Sequence, residues 1–590
     1  MVKWIIWNKK ADFEQIGQRF GISPLLAKII RNRDVVEECA IESFLHGSIK
    51  ELGSPWLLKD MDKAVLLLKD KITQKKKIRI VGDYDIDGVC ATFILKKSLD
   101  ALGGVADTYI PDRIADGYGL NDDIIRRAKE DGVDTILTCD NGIAAKGQVE
   151  LAAKLGMSVV ITDHHEIPFE VDEMGRQVYL LPDADAVIDP KREDCGYPFS
   201  AICGAYVAYK LVEALYDKMR SCRPEGEQEL LTAAAFATVG DVMELQGENR
   251  ILVREGLRHL KNTNNPCFPA LIQVTGLSDT VLSPYHVGFV LGPCINATGR
   301  LDMADRALRL LLTDDRVEAA RLAGELKDLN ESRKEMTAHG VEQGIACVQE
   351  QGLDADRILV VYLPDCHESL AGIIAGRLRE RYGKPVFVLT DSPEGVKGSG
   401  RSISAYDMYA NMTKIKDVFE KFGGHRMAAG LSLKKERIAE FRTRINEVCT
   451  LSDADMIEKL YIDAVMPIGY ATGKLAEELA LLEPFGNGNP RPLFAQKRVT
   501  LVGARILGKN ANVLRLNLQD ESGYRVQAVC FSKVGELLEN LARDFGEGRV
   551  SRLLAGDGDI RVSIAYYPEI NEYQNRRSLQ LVITHFDWLG

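Results

Sequence analysis

Four clusters of acidic and imidazole side chains stand out in a chain of 590 residues: Gly82-Asp83-Tyr84-Asp85-Ile86-Asp87-Gly88, Asp140 in Thr138-Cys139-Asp140-Asn141-Gly142, Asp163-His164-His165, and Asp241 in Ala237-Thr238-Val239-Gly240-Asp241. Carboxylates and imidazoles without thiolates are the donor set of hard or borderline divalent ions such as Mn²⁺ or Mg²⁺. Two such ions about 3.5–4 Å apart can activate a water and stabilise the leaving oxygen of a phosphate ester. Taken singly, each cluster has an ordinary alternative. A DxD is also a turn or a helix cap, a His-His pair is also a partly buried pair, and Val239-Gly240-Asp241 reads equally as a loop or a helix start. Their conjunction, each just after a predicted strand of one sheet-forming region, points to a metal site.

That conjunction requires a parallel sheet. The run Ile78-Arg79-Ile80-Val81 follows Lys75-Lys76-Lys77 and stops at the first acidic cluster. Segments 106–110, 134–139, 158–162 and 186–188 read as further strands, with helices at 121–130 and 146–155 between them. The alternation predicts a doubly wound, parallel α/β sheet whose carboxyl edge collects the clusters. The expected organisation is a helical preamble over 1–75, a catalytic α/β domain over 76–245, and a helical connector over 246–353 ending in long helices around 315–351. A second α/β domain over 354–450 follows, with strands at 358–362 and 385–389, a helix near 369–381, and glycine-rich turns around Gly398 and Gly423. Residues 451–590 read as a connector into a small β-barrel, with strands at 498–506, 513–518, 525–531, 560–566 and 579–583.

Composition narrows the function classes. With 46% hydrophobic and 27% charged residues the chain is a folded protein, too apolar for intrinsic disorder. Lys and Arg number 75 against 86 Asp and Glu, a formal net charge of −11, so nucleic acid is not coated by bulk charge, although a local basic groove is allowed. No apolar run approaches the ~18 residues that span a bilayer, and the start, MVKWIIWNKK, is too short and polar for a signal peptide. A cytoplasmic protein without a membrane partner is expected. The 12 cysteines form no CxxC pair and no Cys/His quartet, which fits reduced, buried thiols rather than structural zinc.

In this order and spacing, VGDYDIDG, TCDNG, ITDHHE and ATVGDVMEL resemble the successive motifs of the DHH phosphoesterase superfamily, and within it the RecJ family of bacterial single-strand-specific exonucleases. The resemblance covers nearly the whole chain. It implies that Asp83, Asp85, Asp140, His164 and Asp241 ligate two Mn²⁺ or Mg²⁺ ions, that His165 faces the scissile phosphate, and that Asp87 supports the catalytic site from nearby. Family members often carry a histidine two residues before the first motif aspartate, where this chain has Val81.

Other motifs point to the substrate. Ile110-Pro111-Asp112-Arg113, followed by Gly117-Tyr118-Gly119-Leu120, puts an arginine and a glycine loop beside the same sheet edge. Next to a phosphoesterase site, Arg113 is a candidate for bidentate phosphate binding. Asn296-Ala297-Thr298-Gly299-Arg300 is a helix entry, and it also resembles the RecJ motif whose arginine, here Arg300, approaches the substrate. Gly398-Ser399-Gly400-Arg401-Ser402 is either a flexible turn or an anion nest. Phe422-Gly423-Gly424-His425-Arg426-Met427-Ala428-Ala429-Gly430 resembles the signature of the DHH-associated domain. The resemblance implies that Gly424 and His425 contact nucleic acid and that Ser399 and Arg401 hold a 5′-terminal phosphate. His367 fits the same edge. Glu483 to Phe494 resembles the family's connector into an OB-type barrel, where Phe531, Tyr566, Tyr567, Tyr573, Lys509, Arg576 and Arg577 are either strand-binding or ordinary core and surface.

The resemblance therefore implies a metal-dependent 5′-to-3′ exonuclease releasing mononucleotides from single-stranded DNA in repair and recombination. It also implies a single-strand-binding protein and a RecQ-type helicase as partners, and a monomer is expected. Two rivals remain: a superfamily enzyme for short oligoribonucleotides, cyclic dinucleotides or pyrophosphate, and a non-catalytic replication scaffold. The barrel tells against the first, and the complete set of motif carboxylates and histidines against the second.

Overall fold

Five short runs form the first sheet: Lys77–Val81, Val105–Tyr109, Thr135–Cys139, Ser158–Thr162 and Ala186–Ile188. Numbered in chain order after β1 (Val2–Ile6), these are β2, β3, β4, β5 and β8, with the hairpin β6 (Phe169–Val171) and β7 (Gln177–Tyr179) intervening. Their order is β3-β2-β4-β5-β8, and every pairing is parallel. Because side chains alternate across a strand, Ile78, Ile80, Leu137 and Val160 enter a core on one face, while Val81, Ile136, Val159 and Ile161 enter a core on the other. Helices Met61–Thr73, Ile86–Ala101, Gly204–Met219 and Glu227–Gly240 cover the first face; Asp122–Glu130 and Lys146–Lys154 cover the second. The chain passes from β2 to β3 on one side and returns to β4 on the other. Such a reversal opens a crevice beyond the carboxyl ends of the strands.

The computed structural model describes residues 2–587 apart from 118, 173, 175, 220–225, 394, 509, 532–533 and 574–575. Tyr118 and Lys509, with the side chains of Tyr573 and Arg576, lie outside the described residues. The chain forms two compact units, residues 52–243 with 252–458, and residues 2–51 with 244–251 and 459–590.

In the first unit the charged stretch expected to be helical is one helix, Arg316–Glu350, of 35 residues, about 50 Å long. Its Gly340 and Gly344 share a face; a Cβ on either would come within 2.4 and 2.8 Å of Ile374 and Leu378 of helix Ala371–Tyr382. That helix packs on a second sheet of order β12-β13-β11-β10-β9, formed by β9 (Leu359–Tyr362), β10 (Val386–Ser392), β11 (Gly395–Arg401), β12 (Lys421–His425) and β13 (Ala428–Leu433). The glycine-rich turns expected around Gly398 and Gly423 are instead strands. The bulk of flanking side chains explains it: a Cβ on Gly398 would lie 2.4 Å from Leu389, and one on Gly400 would lie 2.4 Å from Met408, so neighbouring side chains fill the space.

The second unit corrects the all-helical N-terminal expectation, since β1 is a strand and pairs with β14 (Glu458–Ile462). After β15 (Ala464–Val465), five strands close into a barrel: β16 (Phe494–Leu507), β17 (Val513–Gln519), β18 (Arg525–Cys530), β20 (Arg576–Asp587) and β19 (Ile560–Tyr573), the last pairing back to β16. Arg250 is fully buried here and donates to the carbonyls of Phe44, Leu481 and Leu482, tying three segments together. Tyr566 is also core, its hydroxyl donating to the Met466 carbonyl. Among the described residues no helix is long and apolar enough to cross a membrane.

The first acidic loop is held by close backbone contact. A Cβ on Gly88 would fall 2.4 Å from the Asp83 nitrogen, and one on Gly299 would fall 2.2 Å from the Tyr84 carbonyl. Gly88→Ala is therefore expected to lower the free energy of urea unfolding by about 1–3 kcal/mol, since the loop and the helix that follows must separate; a variant as stable as the parent would contradict this packing.

Candidate metal centre and substrate face

Four aspartates follow four adjacent strands: Asp83 beyond β2, Asp140 beyond β4, Asp163 beyond β5 and Asp189 beyond β8. All four are buried. Asp85 caps helix Ile86–Ala101, one oxygen accepting from the backbone N–H groups of Asp87 and Gly88, so the cap and the cluster use the same residue. Asp87 accepts from the N–H groups of Gly204 and Ala205 at the start of helix Gly204–Met219. Asp140 sits at φ 61°, a left-handed conformation costly for a non-glycine residue and concentrated at functional sites. A Cβ on Gly204 would come 2.7 Å from that of Asp140.

Asp241 corrects the expectation of a strand end. The alanine-rich run before it forms helix Glu227–Gly240, and Asp241 is its C-terminal cap. The helix still delivers it to the same place, with a carboxylate oxygen 3.8 Å from His164 Nε2. That nitrogen is also 3.1 Å from Asp140 and 3.5 Å from Asp87. Three overlapping groups have donor atoms within 4.8 Å of one another: Asp83, Asp85 and Asp140; Asp87, His164 and Asp241; Asp140, His164 and His165. All the expected ligands thus converge, together with Asp87.

The electrostatics of this cluster call for cations. Burial, reinforced by the charges of neighbouring aspartates, pushes the carboxyls of Asp83, Asp85 and Asp140 above the usual carboxylate range and that of Asp241 up to about 8. Burial holds His164 low, and its Nδ1, like Oδ1 of Asp83, is buried with no hydrogen-bond partner. Crowded carboxylates and a neutral imidazole, with orphaned lone pairs and no thiolate, fit Mn²⁺ or Mg²⁺. These groups are close enough to bind such ions.

Asp163 has a different task, one the sequence reading missed. Its carboxylate accepts from the N–H groups of Ile143, His164 and His165 and from Nδ1 of His165 at 2.7 Å. With its oxygens so engaged, it orients the His165 ring and leaves Nε2 free of that contact. Burial disfavours the charged ring, but the Asp163 bond and the charges of Asp163, Asp241 and Asp87 outweigh it and raise His165 to about 9. The place of Asp163 at a strand end, two residues from His165, was the available signal. Asp189, pushed up to about 7 by burial and by Asp163, was likewise unread.

Arginines gather beside the acidic loop. Arg113 lies over the Tyr84 ring at 4.8 Å. Burial, with the charges of Arg113, Arg333 and Arg401 close by, pushes Arg300 down to about 10, and Asp85 opposes this. Arg300 donates to the Ser369 carbonyl, and the Ser369 hydroxyl donates back to that of Arg300 while also meeting His367 Nδ1 at 2.7 Å. Guanidinium groups that crowd one another in this way have the charge and geometry suited to an anion.

Register places Ser399, Arg401 and His425 on one face of the second sheet, while Gly424, opposite Ala429, has the other orientation. Arg401, Ala428 and His425 are directly opposed across β11, β13 and β12, and Ser399, Gly430 and Gly423 form the next such row. Opposed residues, and those two apart on a strand, project to the same side. A Cβ on Gly423 or Gly430 would meet nothing within 4 Å, so the row is an open trough. Gly424, at φ 144°, is bound to glycine by close approach to the Ala428 carbonyl.

Fold and cluster together define a phosphoesterase-type α/β protein, and comparison with known proteins gives its class. The models for the DHH family N-terminal domain, the DHHA1 domain and the RecJ OB domain match residues 77–238, 355–451 and 462–585. The single-stranded-DNA-specific exonuclease RecJ of Bacillus subtilis is 35% identical over 587 residues, 99% of this chain and 70% of that protein. RecJ of Escherichia coli is 32% identical, covering 95% of each chain. The crystal structure of Thermus thermophilus RecJ in complex with Mn²⁺ superposes with a TM-score of 0.81 at 26% identity, covering 100% of this chain and 80% of that one; its Mg²⁺ complex gives 0.73 at 25%, covering 100% and 79%. The chain belongs to the RecJ family.

Proton linkage offers a test of the cluster. Between about pH 4, where unfolded carboxyls ionise, and about pH 8, where Asp241 does in the fold, the metal-free folded state holds more protons than the unfolded chain, so stability falls as pH rises. His165 acts in the same direction, its contribution being lost as pH climbs through about 9. Bound cations remove the carboxylate penalty. Calorimetry should therefore show the melting temperature of chelated protein falling from pH 6 to 8 and the stabilisation by Mn²⁺ growing over the same interval; a Mn²⁺ effect that shrinks with pH would contradict the assignment.

Proposed function

We propose that this protein is a divalent-metal-dependent exonuclease that degrades single-stranded DNA from its 5′ end to mononucleotides. The observation that carries this reading is the meeting of two features beside Tyr84 and Asp85: an acidic and imidazole cluster suited to two cations, and a group of crowded guanidiniums suited to phosphate. Kinship with proteins named as RecJ exonucleases supports it over the full length.

On this reading Asp83, Asp85, Asp140, His164 and Asp241 would hold the ions, with Asp87, itself held by the first amides of helix Gly204–Met219, bracing His164. Bound Mn²⁺ or Mg²⁺ supplies an activated water and offsets charge at phosphorus. His165, fixed by Asp163 and charged at neutral pH, donates a hydrogen bond to the scissile phosphate and stabilises the charge that builds there. Arg113 and Arg300 grip the phosphate, while Ser399 and Arg401 receive the 5′-terminal one. The trough at Gly423 and Gly430 admits the sugar-phosphate backbone, with His425 and Gly424 at its rim. The barrel of the second unit extends binding along the strand, as such barrels do. Action in the cytoplasm in DNA repair and recombination, as a monomer recruited by a single-strand-binding protein and supplied with strands by a RecQ-type helicase, completes the proposal.

The test is a Mn²⁺-dependent time course on a 5′-labelled single strand, its 3′-labelled twin and the blunt duplex. Mononucleotides should leave the 5′ end of the single strand alone. Asp140→Ala should abolish release, and Gly430→Val, whose side chain enters open space, should leave the melting temperature within ~1 °C while cutting the rate at least tenfold. Survival of the long strands alongside cleavage of dinucleotides would overturn the reading, and a fully active Gly430→Val would exclude the trough as the strand path.

A further inference from the structure

Two aromatic side chains are left facing solvent on a segment that packs against the helix ending at Asp241. Tyr285 and Phe289 are 62% and 66% exposed, yet their rings are stacked on each other, with centroids 5.1 Å apart and planes 28° from parallel. They sit on and before a π-helical turn, Val287–Leu291, inserted ahead of helix Gly292–Leu301. Such turns add a residue that redirects side chains, and they recur at functional sites. The turn packs on the last turn of helix Glu227–Gly240: the Cβ position of Gly288 lies 3.9 Å from Val239, two residues before Asp241. At the other end of the same stretch, Gly292 meets Ile86 in the first acidic loop. Val242, next to Asp241, is 66% exposed and held at φ 59°, a strained conformation for a β-branched residue.

The ring pair is braced from one side. His286 is fixed by Ser283 in a capping box, its Nδ1 2.9 Å from the hydroxyl, and its ring meets Tyr285 edge to face at 5.6 Å. The charge of Lys261 reaches His286. Neither ring has a role in the cluster, and neither contributes to the hydrophobic core. Stacked, exposed aromatics on a turn that packs against the helix ending at Asp241 match the chemistry that receives unstacked bases, whose π-faces gain about 1–3 kcal/mol each from such a platform.

We propose that Tyr285 and Phe289 form a base-stacking platform that holds one nucleobase of the substrate strand beside the Asp241 side of the metal cluster. The proposal rests on the reading of the substrate as single-stranded DNA. It makes the two rings positioning residues, which set where the strand lies relative to the cluster.

The test is fluorescence anisotropy with Ca²⁺ in place of Mn²⁺ and 5′-phosphorylated, hydrolysis-resistant phosphorothioate strands of one sequence, intact or carrying a single abasic site stepped along the strand. The parent protein should lose affinity about tenfold at one abasic position. Tyr285→Leu/Phe289→Leu should bind the intact strand about tenfold more weakly and be indifferent to that abasic position, while Phe289→Trp keeps both the affinity and the sensitivity. Intact-strand binding unchanged in the double variant, or abasic sensitivity retained in it, overturns the platform. A parent dimer that becomes monomeric in the double variant, with strand affinity unchanged, assigns the patch to a second copy and also overturns it. No binding of any strand by the parent overturns the substrate reading itself.

Discussion

Five carboxyl groups of one sign, Asp83, Asp85, Asp87, Asp140 and Asp241, are gathered with His164 and His165 into three overlapping sets of ligand-spaced donors, with Asp83, Asp87 and Asp140 buried and Asp85 and Asp241 half-buried. Left alone, such an arrangement repels itself, and removing charges from water adds to the cost. The fold holds it by fixing backbone instead of pairing the charges. Asp83 and Asp140 stand at the ends of strands locked in the middle of a parallel sheet, and Asp85 and Asp87 are anchored by helix N-terminal amides. Close approaches at Gly88, Gly204 and Gly299 leave those segments no room to relax. The strain so built in is what a pair of divalent cations would relieve, so the metal requirement follows from the same packing that defines the domain.

The parallel sheet and its edge were legible because β-branched runs buried on both faces leave a continuous apolar signal, and because a one-residue step from strand to aspartate survives in the sequence. Asp241 was harder to place. An alanine-rich helix and a short strand share an apolar composition, and only the fold shows that a helix end arrives at the same crevice. Gly398 and Gly400 were read as a turn because glycine signals turns locally, whereas here the bulk of Leu389, Phe387 and Met408 fills the space beside a strand. The service of Asp163 to His165 depends on side-chain direction, which spacing alone does not carry. Arg333 and Ser369 belong to the arginine group through contacts between residues distant in sequence, and so gave no local sign.

Negative donors and crowded guanidiniums meet at the acidic loop, where Arg113 lies over Tyr84 and Asp85 acts on Arg300. A phosphodiester seated across that boundary would meet cations and arginines together, which is how a protein of net charge −11 can engage a polyanion without a basic surface. The second sheet contributes a row without side chains at Gly423 and Gly430 next to the row bearing Arg401 and His425, suited to a backbone that must slide one nucleotide at a time. Gly423 and Gly430 leave open space, in contrast to Gly88, Gly204 and Gly299, which permit close packing.

The central claim is that this donor set holds two divalent ions at the carboxyl edge of the first sheet. Anomalous scattering at the manganese edge from crystals grown in Mn²⁺ tests it most directly. The account predicts two peaks about 3.5–4 Å apart, one bounded by Asp83, Asp85 and Asp140 and the other by His164 and Asp241, with Asp140 between them. A single peak, or peaks bound outside these residues, would contradict it.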